Sequence, residues 1–312
     1  MVPEYLKVRL AQKRRVAEHI IEFRFDAADG SPLPAPSPGD HIEILTPSGQ
    51  ARCYSTTEDL QGAQGRWTIA IALDPAGSGG SASMHAQATV GDIMRVRPPT
   101  GNFPFTVSKR ALFIAGGIGI TPIRSMYNSL RRQRKPYEFV YLASSKKEAA
   151  YLEEFTDDPH TTVHLRNEHD RRFDLWNVLQ EPGERDLFCC GPVGLMNQVR
   201  ALTMHWRPSR IHFEDFGAVS PLNEFSAPFS ALWAPTGELI SVPAEATLLD
   251  ALRAAGIDWP SSCNAGTCGT CKLTLLAGDA DHRDVVLTED ERATLVTPCV
   301  SRGDGVLELG PL

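Results

Sequence analysis

The tightest constraint on this chain lies near its end. It is the stretch Cys263-Asn264-Ala265-Gly266-Thr267-Cys268-Gly269-Thr270-Cys271, answered by Cys299. Three cysteines at C-x4-C-x2-C spacing with a distant fourth match the plant-type arrangement for a 2Fe–2S cluster. A tight loop of small residues presents three sulfurs to one centre and lets backbone N–H groups approach them. The fourth thiolate, from Cys299, arrives from a strand packed beside the loop. Two other readings stay open: a zinc site and reduced structural thiols. Zinc ribbons pair two C-x2-C knuckles, and only one is present. No histidine lies between Cys263 and Cys271, which removes a Rieske centre. Cys53, Cys189 and Cys190 are left as small buried apolar residues.

At 312 residues the chain is too long for one small cluster domain, and its length suggests two or three cores. A net charge of −7 argues against nucleic acid as a partner. Residues 1–7 lack the apolar run of a signal peptide. The longest apolar stretch, 111–120, is broken by glycines and too short to span a bilayer. The expectation is a cytoplasmic protein.

The patterning divides the chain. Alternating runs at 6–10, 20–25, 41–45, 67–72 and 93–96, separated by Pro- and Gly-rich turns, predict a small antiparallel β-barrel over 1–106, with a short helix at 83–90. From Arg110, apolar strands alternate with helical patterns, which predicts a parallel sheet covered on both faces over 107–217. Helices are expected at 147–156, 174–179 and 193–206, and one opened by Thr121 as N-cap with Pro122 in its first turn. A linker reads at 218–228. A third unit, 229–312, holds a hairpin around Pro235-Thr236-Gly237 and capping boxes at Thr247 and Thr288 around the cysteine loop.

Gly116-Gly117-Ile118-Gly119-Ile120-Thr121-Pro122 falls where a parallel strand turns into a helix, so a diphosphate could approach the backbone there. The spacing is not G-x-G-x-x-G, and a tight structural turn is the alternative. Cys190-Gly191-Pro192 ends a later strand on the same carboxyl edge, which favours a nucleotide site. Arg52-Cys53-Tyr54-Ser55 offers a phosphate ligand, an aromatic face and a hydroxyl, or else a solvated edge strand. Gly77-Ser78-Gly79-Gly80-Ser81 could cradle a phosphate or form a flexible turn. His85 and His282 read as core or surface histidines. Asp279, Asp281 and Asp284 read as an acidic patch able to steer a basic partner.

Taken together, these segments resemble the phthalate dioxygenase reductase family of the ferredoxin reductase superfamily, over nearly the whole chain. Arg52-Cys53-Tyr54-Ser55 matches the family's R-x-Y-S flavin motif, and Gly79-Gly80-Ser81 its second flavin segment. Ala70-Ile71-Ala72 looks like the strand that lies along the flavin. Gly116 to Pro122 and Cys190-Gly191-Pro192 match the pyridine-nucleotide segments. Phe213-Glu214-Asp215-Phe216-Gly217 looks like the segment that places an aromatic ring near the flavin. Cys263, Cys268, Cys271, Cys299 and the Asp281-His282-Arg283-Asp284 stretch fit the C-terminal ferredoxin module. The resemblance implies a Greek-key barrel binding FMN, a nucleotide domain and a β-grasp ferredoxin.

It also implies a monomeric enzyme passing electrons from NADH through FMN to a 2Fe–2S cluster and on to a Rieske-type terminal oxygenase. By the same resemblance Arg52 takes the FMN phosphate, Tyr54 packs on the ring, and Ser55 lies near the reactive nitrogen. Gly117, Gly119, Thr121, Pro122, Cys190, Gly191 and Pro192 shape the nucleotide site, and Phe216 covers the flavin. Two departures stand out. Ser78 replaces the family's arginine, and Ser144-Ser145-Lys146-Lys147 replaces an Arg-Asp pair, which leaves NADPH open. A diaphorase acting on small acceptors and a redox-sensing binding protein are the alternatives from other classes.

Overall fold

The computed structural model describes residues 5–312 except 60, 61, 63, 64, 76, 78, 102, 104, 170, 171, 217–225, 262–265, 267 and 268. Cys263, Cys268, Ser78, Gly217 and most of the expected linker lie outside the described residues. The chain divides into two compact units that part between Phe216 and Gly217.

The first unit begins with six strands: β1 (Leu6–Ala17), β2 (Ile20–Ala27), β3 (Asp40–Leu45), β4 (Ala51–Ser55), β5 (Trp67–Ala72) and β6 (Ile93–Gly101). They form one antiparallel sheet in the order β4-β3-β6-β1-β2-β5, a Greek-key path. An antiparallel bridge between Thr56 and Ile69 joins the two ends and closes the barrel. Alternation explains the interior: Val8, Leu10, Phe23, Phe25, Ile42, Ile44, Trp67 and Ile69 are wholly buried inside it. Strand β5 is buried on both faces. Ile69 and Ile71 point into the barrel, while Ala70 joins the core of the neighbouring sheet.

The helix expected at 83–90 instead spans Gly80–Ala86 (α1). Gly79 precedes it at φ 96, in the left-handed region that glycine enters without strain, so the chain turns in earlier than apolar spacing indicates.

The second sheet of this unit is parallel throughout: β7 (Arg110–Gly116), β8 (Tyr137–Ala143), β9 (Thr161–Leu165), β10 (Arg185–Cys190) and β11 (Ile211–Glu214), in the order β11-β10-β7-β8-β9. Helix α2 (Ile120–Gln133) contributes to one covering core, with Phe113, Tyr127, Phe139 and Phe155. The other face is covered by α3 (Trp176–Leu179) and α4 (Val193–Leu202), with Leu112, Ile114, Leu187 and Met196. Cys189 and Cys190 are fully buried on opposite faces, as expected of apolar filler.

Two local expectations fail here. Thr121 is not the N-cap of α2. The helix starts two residues earlier, at Ile120, Gly119 occupies the cap, and the Thr121 hydroxyl donates to the Ile118 carbonyl at 3.0 Å. Residues 147–156 hold only a 3-10 turn, Leu152–Glu154, because Tyr151 takes φ 58. Tertiary contacts hold Tyr151 there: its hydroxyl donates to Glu22 at 2.9 Å and its ring lies 4.3 Å from the Arg124 guanidinium.

The second unit is a mixed sheet with a helix packed on it. Its strands are β12 (Phe229–Trp233), β13 (Glu238–Val242), β14 (Leu273–Asp281), β15 (Leu295–Val296) and β16 (Arg302–Gly310), in the order β13-β12-β16-β14-β15. Strands β12 and β16 run parallel and the other pairs antiparallel, the pattern of a β-grasp. Helix α5 (Leu248–Ala254) opens on a complete capping box, Thr247 with Asp250, and the chain leaves it through Gly256 at φ 82. Thr288 and Glu291 make a second complete box at α6 (Glu289–Arg292). Among the described residues no helix is long and apolar enough to cross a membrane.

Candidate functional site

The parallel sheet changes direction between β7 and β10: the chain leaves β7 toward β8 on one side and later returns to β10 on the other. Ligands of open α/β sheets lie outside the carboxyl ends of the strands at such a switch point. Two turns meet there. A methyl group added to Gly191 would stand 3.0 Å from the Gly116 backbone, and one on Gly119 would strike the Cys190 carbonyl oxygen. Gly116 is equally closed in, by Pro192 and Leu195. Gly117 differs, taking φ 55 with open space beside it. The Gly116–Gly119 turn and Cys190-Gly191-Pro192 therefore form one surface made of backbone. Thr121 and Pro122 lie buried just behind it in the first turn of α2. Burial drives the Cys190 thiol well up, with the Glu214 carboxylate adding to it.

The barrel supplies the adjoining groups. The β3–β4 hairpin sets Arg52 opposite Ile44, Tyr54 opposite Ile42 and Ser55 opposite His41. The Arg52 guanidinium donates to Gln50 Oε1 at 3.0 Å and to the Ala51 carbonyl at 2.7 Å. A Cβ on Gly80 would meet Arg52 Cγ at 3.0 Å and Nε at 3.1 Å. The arginine and the Gly79-Gly80-Ser81 turn, far apart in sequence, thus come together. Ser81 Oγ is used locally, accepting from the Asp74 N–H at 3.1 Å. Burial pushes the Tyr54 phenol up to about 12, and the residue packs partly against the barrel core.

Ser55 is buried at the end of β4, and its hydroxyl donates to Glu214 Oε2 at 3.2 Å. Glu214 ends β11, so this hydrogen bond joins the barrel to the parallel sheet. The residue keeps some exposure, but its carboxyl is enclosed and burial raises it to about 8. The Ser55 hydrogen bond opposes that rise and the Asp40 charge adds to it. The sequence places Glu214 within the Phe213–Gly217 segment without giving it a role of its own. The available signal was an acid ending a sheet strand two residues before Phe216. Phe216 itself is 42% exposed.

In the second unit Cys271 and Cys299 are both buried, with sulfurs 3.3 Å apart and no disulfide between them. Leu249, Val300 and Trp259 surround them. The Trp259 indole donates to the Cys271 carbonyl at 3.1 Å. Gly266 takes φ 69, and a Cβ there would meet Val300 at 2.6 Å. Two convergent buried thiols beside a glycine with no room for a side chain fit a thiolate-held cluster. Cys263 and Cys268 lie outside the described residues.

The expected acidic patch needs correcting. Asp284 is buried, accepting the N–H groups of Val286 at 3.2 Å and Leu287 at 2.8 Å, so it shapes a loop and does not face a partner. Asp281 is paired with Arg283 at 2.7 Å. His85 and His282 are structural as expected, the first on the Ile71 carbonyl at 2.8 Å and the second on the Arg292 carbonyl at 3.1 Å.

The phthalate dioxygenase reductase of Burkholderia cepacia is 37% identical to this chain over 308 residues, covering 96% of this chain and 94% of the relative. The chain belongs to the phthalate dioxygenase reductase family. A solved structure of a phthalate dioxygenase reductase, described as modular for electron transfer from pyridine nucleotides to 2Fe–2S, superposes with a TM-score of 0.81. It is 35% identical and covers 98% of both chains. The family model for a 2Fe-2S iron-sulfur cluster binding domain matches residues 232–302. The same architecture recurs in a type IV self-sufficient cytochrome P450 monooxygenase, at TM-score 0.81 and 32% identity, over 98% of this chain and 41% of that one. As a member of the phthalate dioxygenase reductase family this chain is an NAD(P)H-dependent oxidoreductase with a flavin and a 2Fe–2S cluster.

Proposed function

We propose that this chain is a cytoplasmic, monomeric reductase that takes electrons from NADH and delivers them to a Rieske-type terminal oxygenase. The observation that carries the reading is the Ser55–Glu214 hydrogen bond, which brings the end of the flavin motif to the carboxyl edge of the nucleotide sheet. Bound FMN supplies a two-electron acceptor that releases electrons singly, and the 2Fe–2S cluster supplies a one-electron carrier. The protein supplies position and protons.

Arg52 holds the FMN phosphate with the Gly79-Gly80-Ser81 turn. Tyr54 and the Ala70-Ile71-Ala72 strand flank the ring. Phe216 lies over the ring and yields when nicotinamide enters. The paired turns at Gly116–Gly119 and Cys190-Gly191-Pro192 take the dinucleotide against bare backbone. Full reduction of a flavin by NADH consumes one proton besides the hydride. Burial disfavours the Glu214 anion and favours its protonated form. Its carboxyl would hold a proton one hydrogen bond from Ser55, available beside the flavin site. Cys271 and Cys299 are close enough to bind the same iron, with Cys263 and Cys268 completing the ligand set.

Two experiments test this. The purified chain is expected to release FMN and to contain about two irons and two acid-labile sulfides. Zinc without sulfide, or FAD in place of FMN, overturns the cofactor assignment. Reconstitution with purified Rieske oxygenases and, separately, with haem monooxygenases tests the partner. Turnover confined to the haem enzymes overturns the Rieske assignment.

A further inference from the structure

The Ser144-Ser145-Lys146-Lys147 stretch has no part in the function described so far. It begins directly after β8, the strand next to the glycine turn. In dinucleotide-binding sheets this strand end receives the adenosine ribose. An acid there accepts the ribose hydroxyl of NAD, and a cation accepts the 2′-phosphate of NADP. Read along the strand, this chain offers two serines and two lysines before its first acid, Glu148.

The fold supplies the acid from the next strand. After β9 the chain makes a 3-10 turn, Arg166–Glu168, and the Asn167 N–H donates to the Ser144 carbonyl at 3.0 Å. His164, opposite Leu142 in the sheet register, stacks on His169 with centroids 4.3 Å apart, bracing the turn from its far side. The β8 segment is fixed too, since the Lys147 carbonyl accepts the Glu18 N–H at 2.7 Å. Between these anchors the Glu168 carboxylate lies 3.2 Å from Lys146 Nζ. Their side chains remain 47% and 68% exposed, open to a ligand. Exposed pairs of this kind contribute little to folding.

We propose that Glu168 sets the preference for NADH over NADPH; this rests on the nucleotide-site reading above. It occupies Lys146, the cation that would otherwise meet a 2′-phosphate, and it presents a carboxylate to the free ribose hydroxyls. A phosphate dianion brought to the same place meets a like charge, which is discrimination by repulsion as well as by contact. Lys147, Glu148, Arg166 and His169 are the other titratable residues of the two segments, and they leave the local charge mixed.

The test uses the full-length holoprotein with both nucleotides, and with 5′-AMP and 2′,5′-ADP as competitive probes. Glu168→Gln is expected to raise kcat/KM for NADPH about tenfold and lower it for NADH roughly threefold, the larger change falling on KM. It is expected to tighten 2′,5′-ADP about tenfold relative to 5′-AMP. Glu168→Asp restores most of the NADH preference. Adding Lys146→Ala to Glu168→Gln removes the gain with NADPH. An NADPH-to-NADH ratio within twofold of the parent, in a protein still inhibited by 5′-AMP, overturns the role of Glu168 alone. If neither probe competes with NADH in the parent protein, the nucleotide-site reading falls and takes this proposal with it.

Discussion

In the first unit the functional region is built backbone against backbone, the Gly116–Gly119 turn lying on Cys190 and Gly191. In the second it is side chain to side chain, between the sulfurs of Cys271 and Cys299. The first arrangement suits a ligand that reaches and leaves a backbone surface, as proposed above for the nucleotide diphosphate. The second turns two buried sulfurs toward one point. Charge follows the same division. The whole of the net negative charge lies after Phe216, while residues 1–216 are close to neutral. A nucleotide that must come and go therefore meets little net repulsion from the first unit.

The difference predicts that the two regions fail separately. Cys271→Ser is expected to abolish the cluster, since a hydroxyl is a poor replacement for a thiolate on iron. NADH should still bleach the flavin band in stopped flow, while transfer to the oxygenase falls on the order of a thousandfold or more. Oxygenase turnover by a variant shown to lack iron would mean that electrons leave from the flavin.

Gly119→Ala tests the converse. Its methyl group would strike the Cys190 carbonyl, so one turn must move. Stability should fall by roughly 1–3 kcal/mol, and flavin reduction by NADH should slow on the order of a hundredfold, with iron and sulfide retained. Gly117→Ala, facing open space at positive φ, costs only about 1 kcal/mol in strain. Equal effects of the two substitutions would show that the turns do not form a shared surface.

Arg52→Ala should weaken FMN binding by roughly ten- to a hundredfold, the loss of a charge-assisted contact of about 1.5–3 kcal/mol. Unchanged FMN affinity by titration removes Arg52 from the phosphate site.

The smallest effect concerns pH. Glu214 is raised in the folded protein from 4.5 to about 8, so the protonated form is the one the fold favours. Its favourable linkage is therefore complete below about 4.5 and is lost as pH rises toward about 8. Flavin reduction by NADH should decline several-fold through that upper value, and Glu214→Gln should remove the inflection. An inflection that persists in the glutamine variant belongs to another group.

The same contrast explains what could be read in advance. Ligand chemistry carried by side chains at fixed spacing is visible in a sequence, and the cysteines announced a cluster before any strand was placed. The barrel strands were legible because burial on one face forces alternation. The glycine turns were visible only as glycines, since nothing in a sequence says which two backbones will touch. Glu214 and Glu168 were missed for one reason: each gains its role from a residue brought beside it by sheet order, Ser55 in the first case and Lys146 in the second. The helix expected at 147–156 failed because Tyr151 is held at φ 58 by partners more than 25 residues away. Asp284 read as a surface charge because no pattern distinguishes a carboxylate facing solvent from one accepting N–H groups inside a loop.

Strand β16 lies at the middle of the second sheet, between β12 and β14, yet it follows all four cysteines in sequence. Cys299 stands three residues before β16 begins at Arg302, so the strand that completes the sheet also carries the last sulfur into place. Ligand set and scaffold are therefore completed in one step of folding. A chain truncated after Val300 would keep all four cysteines without the central strand, and after reconstitution with iron and sulfide it should contain no cluster.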